Sequence, residues 1–126
     1  AIRNSDGVLF ASPEYNHGIT GVLKNAIDWA SRDRDEGSLN GKPAAIIGAG
    51  GVSATARAQA QLQPVLSETG ALLMVKPGVL VTMPWEKFDE EGQLTDEDTR
   101  LFLGKHLDAF AAWIARVGAR HEVGVS

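Results

Sequence analysis

The chain of 126 residues contains no cysteine. That excludes disulfides, thiolate metal ligands and thiol redox chemistry from its own side chains, and it fits a reducing cytoplasm. No apolar stretch approaches the roughly 18 to 20 residues that a membrane-spanning helix needs. No basic run exists either: 12 Lys and Arg stand against 16 Asp and Glu, for a net charge of -4. A mildly acidic chain without such a run is a poor match for non-specific nucleic-acid binding. Internal repeats and low-complexity segments are lacking. The N-terminus, Ala1-Ile2-Arg3-Asn4-Ser5-Asp6, has neither an initiating Met nor the apolar centre of a signal peptide, so residues upstream are expected to have been lost.

What is present suffices for one domain, with 44% hydrophobic residues to build a core and 22% charged residues for an ordinary surface. Gly7-Val8-Leu9-Phe10-Ala11 is an uninterrupted apolar run ending at Ser12-Pro13, as expected of a central strand buried on both faces of a parallel sheet. Thr20 is placed to cap a helix carrying Leu23, Ile27 and Ala30 on one stripe. Arg32 to Lys42 reads as a surface connection.

A second strand is expected over Pro43 to Gly48, then a small-residue turn at Ala49-Gly50-Gly51 and a helix with Ser53 as its N-cap. That helix has Ala58, Leu62, Val65 and Leu66 on its apolar face, and Gly70 stops it. Ala71 to Val75 reads as a third strand, whose extended path continues through Val79-Leu80-Val81 beyond Pro77-Gly78. Met83 to Gln93 is a long loop, in which Asp89-Glu90-Glu91 is a solvated acidic run and Trp85 and Phe88 cover either a substrate pocket or a partner subunit. Thr95-Asp96-Glu97-Asp98 offers a capping hydroxyl and first-turn acids to a last helix with Leu103, Leu107, Phe110, Ile114 and Val117 on its inner face.

Alternating strands and helices define a parallel α/β sheet. Right-handed crossovers put Ser12–Gly18, Gly48–Ser53 and Lys76–Trp85 along one carboxyl edge, where open α/β sheets bind ligands. His17, His106 and His121 show no metal-ligand spacing with a carboxylate cluster, so no metal site is assigned. His106 and His121 read as solvated residues of a helix surface. Lys24 and Asp28 are spaced for an i to i+4 ion pair.

Pro13-Glu14-Tyr15-Asn16, seven intervening residues and then Lys24-Asn25-Ala26-Ile27-Asp28-Trp29 form a combined pattern. In it the chain resembles the NAD(P)H-dependent FMN reductase family, with its chromate reductase, quinone reductase and azoreductase relatives. The resemblance runs on through Arg57-Ala58-Gln59 and the last helix. It implies a flavodoxin-like, three-layer, doubly wound parallel sheet, with residues 1–126 as the C-terminal part of a single domain lacking its first two strand-helix units. Those units amount to about 50 to 60 residues at about 30 each, and the loop for the FMN phosphate is expected among them. Without that loop and without a partner for the first strand, the 126 residues alone are expected to be poorly soluble and to bind FMN weakly.

The implied cofactor is FMN, with NAD(P)H as electron donor. Cofactor-binding positions are expected at Pro13, Glu14, Tyr15, Asn16 and His17, where the loop sits against the isoalloxazine ring, and at Gly50 and Gly51, where a missing side chain permits close approach. Relatives carry a further glycine pair where this chain has Ala54-Thr55-Ala56, which leaves open which amides meet the ring. The implied activity is two-electron transfer from NAD(P)H through FMN to a quinone, chromate, azo compound or free flavin, with no side chain assigned as catalytic acid or base because the flavin carries the chemistry. A cytoplasmic homodimer or tetramer is implied, joined through the helix bearing Lys24, Asp28 and Trp29. A flavodoxin-type electron carrier and a flavin-free interaction module are the alternative classes.

Overall fold

A computed structural model describes the backbone of residues 1–124 and the surroundings of side chains up to residue 118. In chain order the regular elements are β1 (Val8–Ala11), α1 (Gly21–Ala30), β2 (Pro43–Gly50), α2 (Ala56–Glu68), β3 (Leu72–Leu73), β4 (Val79–Thr82) and α3 (Glu97–Gly124). All strand pairs are parallel. β2 is central: β1 lies on one side of it, and β3 and β4 lie in succession on the other. Pro43 and Ala44 pair with Leu72 and Leu73, and Ile47 to Gly50 then pair with Val79 to Thr82.

Side-chain alternation along β2 divides the core in two. Ala44 and Ile46 pack with Phe10, Ile27, Leu62 and Leu66 beneath α1 and α2. Ala45, one step between them, faces the other way with Met74 and Phe110, backed by Trp113 and Ile114 of α3. The result is the expected three-layer α/β arrangement, helices on both faces of a parallel sheet. Ala44 and Ala45, near the start of β2, are fully buried on its two opposite faces.

Several details depart from the sequence-based expectation. β1 is not buried on both faces: Phe10 is buried, but Leu9 and Ala11 are not. The reason is positional, since β1 ends the sheet and α3 packs across β2 and β4. The third strand is shorter than Ala71–Val75 and comprises Leu72 and Leu73, although Met74 N–H still donates to Ala44 O at 2.8 Å. The path then resumes as β4, as expected. Only the Thr82–Trp85 part of Lys76–Trp85 belongs to the carboxyl edge, because Lys76 to Gly78 precede β4.

Thr20 caps α1 as expected, accepting from Leu23 N–H at 3.1 Å. Ser53 is not the cap of α2, which begins after Thr55 with no side-chain bond from the cap residue. Thr95 does not cap α3 either. Its hydroxyl donates to Lys87 O at 3.2 Å, and the Asp96 carboxylate receives Thr99 N–H at 2.9 Å and Thr99 Oγ1 at 2.6 Å. These bonds, and secondarily the charge of Lys87, hold the Asp96 carboxyl below the usual carboxylate range.

The inner face of α3 keeps Leu103, Phe110, Ile114 and Val117 as expected and departs at one position. His106 is 1% exposed, whereas Leu107 is 43% exposed. The buried line runs through Thr99, His106 and Phe110, and His106 is held by a 2.7 Å contact between Nδ1 and Pro77 O. His106 is therefore a core residue and not a solvated one. His121 lies outside the residues whose side-chain surroundings are described.

Candidate functional site

The loop that leaves β1 folds into a tight reverse turn. Tyr15 N–H donates to Gly18 O at 2.9 Å and Gly18 N–H to Tyr15 O at 3.1 Å, closing a two-residue connection. Asn16 and His17 at its tip both have left-handed backbones, with φ of 53° and 65°. Paired left-handed residues are what a type I′ turn requires. Tyr15 is 62% exposed, and Asn16 and His17 are exposed beside it. Among the described residues the N–H groups of Asn16 and His17 meet no acceptor, so both donors point away from the fold's own hydrogen bonding.

Glu14 behaves differently from its neighbours. Its side chain retains 9% exposure, and its Oε1 accepts Ala58 N–H at 2.8 Å while Oε2 lies 3.6 Å from Arg57. The carboxylate thus takes the capping position over the first turn of α2 that Ser53 was expected to fill, where the helix dipole favours an anion. The Arg57-Ala58-Gln59 motif becomes intelligible at the same time. Arg57 faces Glu14 and Ala58 supplies the capped N–H. Buried Gln59 donates to Val79 O at 2.8 Å and to Thr55 Oγ1 at 3.0 Å.

After β2 the two glycines play unlike parts. A Cβ on Gly50 would stand 2.4 Å from Ala54 O, so this glycine serves the closure of its own turn. A Cβ on Gly51 would meet nothing within 4 Å, which leaves open space before the backbone. Met83 N–H donates to Gly51 O at 3.3 Å and brings the loop after β4 against the same turn. The Ser12–Gly18 and Gly48–Ser53 loops and the end of β4 do converge on one edge. Below that edge, on the α3 side, lies an apolar cavity of about 280 Å³, lined by Ala11, Pro13, Ile47, Val81, Phe88 and Leu103 among others. Phe88 faces that cavity, whereas Trp85 stays exposed in a short turn of 3-10 helix.

This edge suits one side of a planar, polar-rimmed aromatic group. It combines two free backbone donors, an exposed phenol ring and a glycine with clear space before it. The expected positions Pro13, Tyr15, Asn16, His17 and Gly51 lie on it. The side chain of Glu14 and the Cα face of Gly50 are turned to structural contacts instead. Sequence reasoning missed Gln61, whose Oε1 accepts Ile19 N–H at 2.8 Å at the far end of the turn. A glutamine on an exposed helix face carries no signal that would have singled it out.

A doubly wound parallel sheet with a polar turn on its carboxyl edge defines a flavodoxin-like protein. Within that class the chain belongs to the NADPH-dependent FMN reductase family, whose model matches residues 1–86. An NAD(P)H-dependent FMN reductase of Pseudomonas aeruginosa is 44% identical over 117 residues, covering 92% of this chain and 63% of that protein. A 2-hydroxy-1,4-benzoquinone reductase of a Burkholderia species is 41% identical over 114 residues, covering 90% of this chain and 62% of the relative. Among solved structures, the flavoenzyme NAD(P)H:(acceptor) oxidoreductase FerB from Paracoccus denitrificans superposes with a TM-score of 0.81. It is 42% identical, with 91% of this chain and 64% of FerB covered. The chain therefore spans a little under two thirds of the length of these relatives.

Proposed function

We propose that the protein is an FMN-dependent oxidoreductase, part of a single flavodoxin-like domain, that passes two electrons from NAD(P)H to a small-molecule acceptor in the cytoplasm. The observation that carries this reading is the Tyr15–Gly18 turn, with its unpaired Asn16 and His17 donors on the sheet's ligand-binding edge. Membership of a family of FMN reductases supports it, as do relatives named for FMN and quinone reduction. A quinone is the acceptor those names favour, and chromate, azo compounds and free flavin are further candidates. FMN, when bound, supplies the hydride chemistry.

The chain's own residues bind and orient. The N–H groups of Asn16 and His17 would engage the polar rim of the ring, Pro13 and Tyr15 would lie beside its apolar surface, and Gly51 would leave it room. No side chain is assigned a proton-transfer step. Dimerisation through α1 belongs to the same proposal, supported by an exposed apolar stripe of Val22, Ala26 and Trp29 on that helix.

The test is FMN titration together with NAD(P)H oxidation. Tyr15→Ala combined with Asn16→Gly should weaken FMN binding about tenfold and lower turnover while leaving the unfolding midpoint nearly unchanged. Glycine is chosen at Asn16 because alanine would add strain at a left-handed position. Unaltered affinity and turnover would remove the Tyr15 and Asn16 side chains from the flavin site. Tight FMN binding without NAD(P)H oxidation would mark an electron carrier.

A further inference from the structure

The turn that presents Asn16 and His17 has no core of its own. It is four residues long, its tip is exposed, and both tip residues hold backbone conformations that side-chain-bearing residues adopt at a cost. Its own two backbone hydrogen bonds close it, and its ends are held from outside by one turn of one helix. Before the turn, the Glu14 carboxylate accepts Ala58 N–H at 2.8 Å; after it, Ile19 N–H donates to Gln61 Oε1 at 2.8 Å. Ala58 and Gln61 are three residues apart and so lie on the same face of α2. The fit at the second point is close, since a Cβ on Gly18 would stand 2.6 Å from Gln61 Oε1.

We propose that α2 sets the geometry of the flavin-facing turn by gripping it at both ends, with Glu14 and Gln61 as positioning residues that touch the turn but not the flavin. This rests on the reading of the turn as a flavin contact. A donor pair already held in its binding geometry loses no freedom when the ring arrives, whereas a released turn must be ordered at that moment. Neither side chain belongs to the hydrophobic core, so their loss should be felt at the turn and not in the fold.

The test uses four variants of the flavin-binding protein: Glu14→Ala, Glu14→Gln, Gln61→Leu and Gln61→Glu. Glu14→Ala and Gln61→Leu should each raise the FMN dissociation constant about tenfold, alter the visible band shape of bound flavin and speed hydrogen exchange at the Ile19 amide. Glu14→Gln and Gln61→Glu keep an acceptor oxygen at each point and should restore all three readouts. FMN affinity within twofold of the unsubstituted protein, with an unchanged spectrum, in both Glu14→Ala and Gln61→Leu would overturn the proposal. If loss of the cap keeps Glu14→Ala from folding, Gln61→Leu decides, because that side chain is exposed and leucine is a good helix former. Should the unsubstituted protein bind no FMN, the flavin reading fails, and exchange at the Ile19 amide still tests the grip. Faster exchange in Gln61→Leu then supports it, and unchanged exchange overturns it.

Discussion

His17 is a residue at which local preference and observed conformation disagree. A type I′ turn favours glycine after asparagine, and this chain places a histidine there with φ of 65°. His17→Gly should therefore stabilise the folded protein by about 0.5–1 kcal/mol, the relief of left-handed strain being partly offset by the freer unfolded chain. Chemical denaturation checks the sign, and a lower midpoint would mean that the imidazole makes a contact worth more than the strain. Asp96 offers a second test at this scale. Its carboxyl is held below the usual range by the Thr99 bonds, so its stabilising contribution is fully present above the pKa of the unfolded chain. That contribution is lost as pH falls through the lower folded value. The stability difference between the protein and Asp96→Ala should shrink on acidification, and a constant difference would show that the charge is irrelevant to the cap.

Gln59 joins two elements that are not neighbours in sequence, tying α2 to β4 through Val79 O inside a buried site. Gln59→Leu would leave that carbonyl and the Thr55 hydroxyl without their donor, and should destabilise by about 1–3 kcal/mol. An unchanged denaturation midpoint would show that water replaces the amide. Elements were legible in the sequence wherever periodicity and a local cap agreed: Thr20 with its Leu23, Ile27 and Ala30 stripe gave α1 directly. Failures arose where the partner was distant in sequence. The cap of α2 comes from Glu14, 44 residues away from Ala58, and no local pattern around Ser53 could show it. On α3, alternating steps of four and three fit Leu107 as well as His106, and only the Pro77 carbonyl, contributed by another segment, decides in favour of the histidine. The site was read in the same way. Its chain position was evident from Pro13-Glu14-Tyr15-Asn16, but the division of labour between exposed tip and buried Glu14 required the packed helix.

At the scale of the whole molecule, the homodimer proposed above would need a surface that meets a second copy. α1 presents Val22, Ala26 and Trp29 at helical spacing, with Val22 82% and Trp29 74% exposed. The adjacent Lys24 and Asp28 satisfy one another at 2.8 Å and so form a self-neutral polar border. An aromatic anchor inside a polar border has the composition of an interface centre. Phe102 on α3 is also exposed, beside Leu101, but the charged Asp98 and Lys105 stand one turn to either side of it on the helix. Trp29→Asp should therefore convert the proposed dimer to monomer in light scattering at micromolar concentration, because a carboxylate buried at the centre without a partner costs several kcal/mol. Phe102→Asp should leave the mass unchanged. The opposite pattern, an unaltered mass for Trp29→Asp and dissociation by Phe102→Asp, would transfer the interface from α1 to α3 and leave the α1 stripe as ordinary solvent-facing surface.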